Sequence, residues 1–336
     1  MLKVFTHVPL ENVRYIELLY PNWGTPKRKI ERWSDHAFDY LSESIVELVS
    51  QPEQADCLLV PHFYQHVESI PGYLEKFEQL SEKYKKKIII FLPGDTTERV
   101  VVKNSIILRQ SVYKKNLLPN EVLMPAYVED LSFGAPIVFR DKQNIPSVGF
   151  CGWATYTTIG DRIKAGIKNT FLQHKTGIFY RSQIIQILKK SSKLKTDFIL
   201  RSAYAVNEKT RNMDKDTMRK EFIENIKHND YALCVRGNGN FSQRFFEILS
   251  LGRVPVFVDT DCALPFEDEI PYDDFIMRIP SNQINGITDK VVEYHNRISD
   301  EEFIRKQKQA RDIFETYLRI DKYFDYFFSN KVQSYL

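Results

Sequence analysis

The sequence has little of what builds metal sites and disulfide scaffolds. Its four cysteines, Cys57, Cys151, Cys234 and Cys262, are scattered, and no Cys-x-x-Cys or Cys/His spacing suggests zinc. The first three lie in or beside apolar, strand-like runs, and reduced buried thiols fit a cytosolic protein. No stretch approaches the roughly 18–20 apolar residues of a membrane span. The opening MLKVFTHVPL reads as a strand, because its apolar segment is too short and too interrupted for a signal peptide. The charge is also small: 47 Lys and Arg against 44 Asp and Glu leave +3, too little to argue for nucleic acid or strong membrane attraction. KYKKK at 83–87 reads as the solvated end of a helix. Neither THVPLEN nor FCGWATYT contains the Gly-x-Gly-x-x-Gly fingerprint that a dinucleotide enzyme carries after its first strand. The expectation is a soluble, cytoplasmic protein with no nucleic-acid partner and no transmembrane segment, compatible with peripheral membrane association.

What is present is an alternation of strands and helices. Apolar runs at 2–8, 57–63, 88–94, 106–111 and 121–126 are separated by helical patterns, notably 36–50 and 72–86, which predicts parallel pairing in an α/β sheet. LSFGAPIVFRDKQNIP at 131–146 has turn-forming residues and no clear period, and reads as a link between domains. A second set follows: strands at 147–155, 197–202, 231–235 and 254–259, with helices near 177–191, 214–228 and 242–251. The pattern predicts two Rossmann-like domains facing a cleft. From 300 to 328 the chain reads as one long helix, with Phe303, Ala310, Ile313, Phe314, Tyr317 and Leu318 on one face. Its aromatic end is expected to cross back onto the first domain. The domain expectation is therefore 1–140 plus 311–336, and 147–305.

One stretch carries chemistry, 234-CVRGNGNFSQRFFEILSLGRVPVF-257. It reads as strand, glycine loop, helix and strand, and in an open parallel sheet ligands bind where such loops leave the carboxyl ends of strands. Gly237 and Gly239 let backbone N–H groups of the Gly237-Asn238-Gly239-Asn240 loop approach a ligand. The helix start behind Ser242 adds unpaired N–H donors and partial positive charge, which together suit a phosphate. Arg236 and Arg244 would add charge-assisted contacts. Glu247, one turn beyond Arg244, suits the neutral hydroxyls of a ribose. Diphosphate at the loop and ribose at the glutamate describe a nucleotide-diphosphate sugar. The same residues have plainer readings: such a loop often only caps a helix, and Arg244 with Glu247 could be a surface ion pair.

The stretch ALCVRGNGNFSQRFFEILSLGRVPVFVDTDCALPFED resembles the signature of the exostosin-like glycosyltransferases (family GT47). That signature has a strand, a glycine loop, Ser-x-Arg with an acidic residue after it, Gly-x-x-Pro-Val, then Asp and Leu-Pro-Phe. ADCLLVPHFY at 55–64, IIIFLPGDTTE at 88–98, EVLMPAY at 121–127 and VGFCG at 148–152 are similar to earlier family segments in the same order. Arg236 and Arg253 depart from common family residues. The Golgi-type anchor of animal and plant members is absent, which points to a bacterial or viral-type soluble member.

The resemblance implies a GT-B fold and inverting transfer of a hexosyl or pentosyl group. The donor is a nucleotide sugar, with UDP first in line, and the acceptor a glycan, as in surface polysaccharide synthesis. Arg244 would stabilise the leaving diphosphate, and a base from the first domain would activate the acceptor. Asp95, just after a strand, is the first choice for that base. His7, His62, Tyr64 and Glu98 are further acceptor-side candidates. The sequence motif Asp259-Thr260-Asp261 resembles the paired carboxylates of metal-dependent transferases, but its position within the signature favours loop turning or donor contact, so no metal cofactor is expected. Arg162 and Arg181 are either donor-phosphate contacts or solvated, and Trp153, Tyr156 and Tyr64 are either sugar-stacking or packing. A metal-dependent transferase and a non-catalytic two-domain binding protein stand as alternatives.

Overall fold

The structure, a computed structural model, describes residues 1–24, 33–154, 160, 163, 167, 175–201 and 214–336. Tyr156 and Arg162 lie outside the described residues. The chain divides into two compact units, one of 1–129, 262–266 and 316–336, the other of 130–261 and 267–315.

The first unit holds six parallel strands: β1 (Leu2–Phe5), β2 (Val46–Leu48), β3 (Cys57–Phe63), β4 (Ile88–Leu92), β5 (Ser105–Arg109) and β6 (Glu121–Leu123). Their order is β2-β1-β3-β4-β5-β6. Every side chain of β3 and β4 is buried. That is why these strands read as unbroken apolar runs, as a sheet covered on both faces requires. Pro61 sits inside β3, where it cannot donate to the ladder, and the pairing of β3 with β4 shifts register between Leu59 and Phe63. Helix α1 (Tyr73–Tyr84) buries Tyr73, Phe77 and Ser81 along one face.

The segment 36–50 is not the helix its pattern predicts. Residues Trp33–Tyr40 form a 3-10 turn and Val46–Leu48 form the edge strand β2, paired with β1. Two local causes act. Ser44 Oγ donates to Asn22 Oδ1 and to the Val46 carbonyl, bonds that compete with a helix. Beyond it, Val46 points inward and Glu47 outward, the alternation of a strand.

The second unit holds β7 (Ser147–Trp153), β8 (Lys195–Arg201), β9 (Tyr231–Cys234), β10 (Val254–Asp259) and β11 (Met277–Pro280) in the parallel order β11-β10-β9-β7-β8. Helices α2 (Gly177–Lys189), α3 (Lys215–His228), α4 (Gln243–Ser250), α5 (Ile287–Arg297) and α6 (Asp300–Ile313) accompany them. Val148, Ile184, Leu188, Tyr231, Val256, Ile287 and Phe303 belong to one buried core. Segment 130–146 is not a detached linker but lies on this unit. Arg140 donates to the Asp230 carboxylate, its N–H bonds Gln307 Oε1, and Lys142 donates to the Ile298 carbonyl.

The expected single helix at 300–328 breaks. After α6 comes a wide turn at Phe314–Leu318, and Arg319 is extended where α7 (Ile320–Tyr326) begins. Arg319 holds Asp321 with two bonds of 2.7 and 2.9 Å and stacks on Tyr40, fixing the break. Within the first unit Tyr323 donates to the Leu123 carbonyl and stacks on Phe266 at 5.1 Å. Residues 262–266, expected within the second domain, count with the first because Ala263 packs on Val112 and Leu123 there.

Candidate functional site: a helix start at the β7/β9 reversal point

Taken in sequence, the strands of the second unit lie in the order second, first, third, fourth, fifth. The chain reverses direction across the sheet between β7 and β9, and in open α/β sheets ligands bind outside the carboxyl ends of the strands at that point. Here those ends are Cys151-Gly152-Trp153 and the loop from Val235 to Phe241, which leads into α4.

The loop is held by its own side chains. Arg236 is buried, donating from Nε to the Gly239 carbonyl at 3.1 Å and from Nη2 to the Asn238 carbonyl at 2.6 Å. The Gly237 N–H closes the loop on the Phe241 carbonyl. Fully buried Asn240 donates to the Asp261 carbonyl and accepts from the Thr260 hydroxyl. Through these bonds Arg236, Gly237 and Asn240 shape the loop. Asn238 is exposed and Gly239 buried. Ser242 is the N-cap residue of α4, with extended backbone and a hydroxyl that does not cap the helix. Buried Cys234 sits behind it. Burial pushes its thiol up to about 12, against an opposing hydrogen bond with Ser242.

Arg244, in the first turn of α4, donates from Nη2 to the Cys151 carbonyl at 2.5 Å. Its guanidinium carbon lies 4.1 Å from the ring centre of Phe150 and 5.4 Å from that of Phe222 on α3. Stacking of this kind presents a planar cation while shielding its faces. Gly152 makes room: its φ is +153°, and a Cβ there would stand 2.6 Å from Arg244 Nη2. Glu247 does not pair with Arg244. Its Oε1 accepts from Arg219 Nη1 at 3.0 Å, with both side chains largely buried. Neither Arg219 nor Phe222 carried a local signal in the sequence, since both approach α4 from α3.

Gly177 opens α2 against this loop, so close that a Cβ would lie 2.3 Å from the Arg236 and Gly237 carbonyl oxygens. Arg181, one turn later, is buried and bonded to the Gly177 and Trp153 carbonyls, which makes it a tie between β7 and α2. Asp259 pairs with Arg278 at 3.0 Å, and Arg278 also holds Glu267 and Asp273. Asp261, with φ +65°, offers its carbonyl to Asn240. In the described residues Asp259 and Asp261 thus serve an ion pair and a turn.

In the first unit, Asp95 and Glu98 are exposed on the loop after β4. Buried Arg109 grips that loop through the Thr96 and Glu98 carbonyls while paired with Glu121. His62 is fully buried, with Nε2 accepting from the Leu10 N–H and Nδ1 donating to the Arg14 carbonyl. With both ring nitrogens engaged, it is a structural histidine and not an acceptor-side group. His7 follows β1 with its ring against Phe5 and Phe77; burial, then Lys76, lowers its pKa. Tyr64 is partly buried against the core cluster of this unit.

The architecture is two α/β units, each with one all-parallel sheet, and the second carries an arginine-bearing helix start at the sheet's reversal point. Residues 174–294 match the family model "Exostosin GT47 domain", a span that covers the loop, α4 and Arg219. No curated protein matches the chain. Among solved structures it is similar to a mutant of S. aureus TarM in complex with fondaparinux, alpha-GlcNAc-glycerol and UDP. Identity is 12% over 82% of this chain and 55% of that one, with a TM-score of 0.37. The chain thus spans about half the length of that protein.

Proposed function

We propose that this protein is a nucleotide-sugar glycosyltransferase of GT-B type. In this reading it moves a sugar from a nucleoside-diphosphate donor, a UDP-sugar first, to a hydroxyl of a glycan acceptor with inversion, as in surface polysaccharide synthesis in the cytoplasm. The observation that supports it is the placement of Arg244 and the α4 start at the β7/β9 reversal point, where a diphosphate finds main-chain N–H groups and a stacked guanidinium together. The match of 174–294 to the exostosin domain falls on the same residues.

The proposed reaction is one displacement. The acceptor oxygen bonds to the anomeric carbon as the bond from that carbon to the diphosphate oxygen breaks, and a base takes the acceptor proton. Negative charge grows on the leaving diphosphate, opposite Arg244, Ser242 and the first N–H groups of α4. The Oε2 of Glu247 would take the ribose hydroxyls, since Arg219 holds Oε1. Asp95, from the loop gripped by Arg109, is the proposed base, and acceptor binding is assigned to the first unit. The donor is a substrate, and no metal cofactor is invoked, because Arg278 takes the Asp259 carboxylate.

The test is a panel of nucleotide sugars scored by nucleotide release, beside a thermal-shift series with UDP, GDP and NAD. Stabilisation by UDP or GDP but not NAD, with acceptor-dependent release from one donor, supports the proposal. Stabilisation by none of the nucleotides, with no release from any donor, would overturn it.

A further inference from the structure

We propose that Arg219, on α3, is a positioning residue that keeps the two poles of the donor site apart; this rests on the donor-site reading above. Arg244 and Glu247 stand three residues apart on α4, a spacing at which opposite charges on one helix face normally pair. Paired in that way they would cancel. The guanidinium would be lost to a phosphate, and the carboxylate to hydroxyls.

The structure separates them. Glu247 is drawn to Arg219 at 3.0 Å, and Arg244 is drawn the other way, to the Cys151 carbonyl and the face of Phe150. Phe222, one turn beyond Arg219 on α3, lies 5.7 Å from the Arg219 guanidinium carbon and 5.4 Å from that of Arg244. Its ring gives both cations an apolar surface to rest on. The side chains of Arg219 and Glu247 are only 11% and 16% exposed, so water replaces neither partner well. Without Arg219 the carboxylate has one guanidinium within its own helix turn to go to, that of Arg244.

This makes a prediction that a merely supportive role for Arg219 does not. Arg219→Met harms phosphate binding only because Glu247 is then free to cover Arg244, so removing the carboxylate as well should repair it. Binding of UDP and of inorganic pyrophosphate, a probe indifferent to the base, is measured by calorimetry on the full chain. The proteins are wild type, Arg219→Met, Arg219→Lys and the double variant Arg219→Met/Glu247→Gln. Arg219→Met should weaken both ligands by about tenfold to a hundredfold, the size of one charge-assisted contact. Arg219→Lys should recover part of that loss. The double variant should bind pyrophosphate close to wild type while remaining weak for UDP.

A double variant that binds pyrophosphate no better than Arg219→Met would overturn the proposal, as would an unchanged Arg219→Met. Should Arg219→Met fail to fold by circular dichroism, Arg219→Gln replaces it in the same comparison. A wild type that binds neither UDP, GDP nor pyrophosphate would sink the donor-site reading and this inference with it. A wild type that binds, with no repair in the double variant, sinks this inference alone.

Discussion

Adding one methyl group at Gly177 tests how tightly the candidate site is packed. In Gly177→Ala the new Cβ would stand 2.3 Å from two carbonyl oxygens, those of Arg236 and Gly237. Both are backbone atoms, so neither can swing aside as a side-chain tip would. Ordinary contact requires the start of α2 or the loop to retreat by about 1 Å. The loop resists, because Arg236 grips the Gly239 and Asn238 carbonyls and Asn240 is bonded to Thr260 and Asp261. Overpacking of this kind costs about 1–3 kcal/mol, and alanine's better helix propensity returns at most about 1. Because Gly177 is the first residue of α2, it recovers little of that propensity, and a net loss of about 1–2 kcal/mol should lower Tm by roughly 2–8 °C for a unit of this size. UDP affinity should fall too, since the displaced loop leads into the first turn of α4. Thermal unfolding and calorimetry with UDP measure both. An unchanged Tm with unchanged affinity would refute the close approach and the link from loop to site.

Arg244→Ala should lose on the order of a hundredfold in kcat/KM, the usual cost of one donor to a developing oxyanion, while far-UV circular dichroism is retained. Turnover near wild type would remove Arg244 from the site. Activity should survive EDTA, and Asp259→Ala should keep turnover while loosening the Arg278 cluster. Complete loss on chelation, restored by Mn²⁺ or Mg²⁺, would return the Asp259/Asp261 pair to a metal. His62 and His295 contribute, beside His7, to the pH dependence of stability. Burial lowers both pKa values from 6.5, against backbone hydrogen bonds that oppose it. Each contributes stability while neutral, and that contribution is lost as pH falls below 6.5 towards the folded values, where the unfolded chain binds more protons. Urea midpoints should therefore drop between about pH 7.5 and about pH 5.5, a window set by histidine. A flat profile, or the same drop in a His62→Gln/His295→Gln variant, would contradict this origin.

Much of the scaffold was legible because parallel strands buried on both faces leave unbroken apolar runs. β3, β4, β9 and β10 could be read almost to the residue. Strand β2 could not, because SESIVELVS keeps a helical spacing of apolar residues, and only its pairing with β1 decides the outcome. The loop before α4 was legible as a loop, but the internal bonds of its residues were not. Glycine, asparagine and arginine serve equally to hold a phosphate and to tie a loop to itself. The choice at Arg236, Gly237 and Asn240 lies with partners such as Thr260, twenty residues on. His62 likewise gave no sign of its two backbone partners, which come from the Leu10–Arg14 loop. Arg219 was invisible for a related reason: its partner Glu247 is 28 residues away on another helix, and no local motif links them.

Amide hydrogen exchange on the full chain, with and without saturating UDP, tests the central claim most directly. With the diphosphate against the start of α4, peptides covering residues 236–250 and the β7 end at 150–154 should exchange more slowly with UDP. The first unit's peptides around β1 and β4 should change far less without an acceptor. Protection that appears elsewhere and leaves 236–250 unchanged would contradict the account.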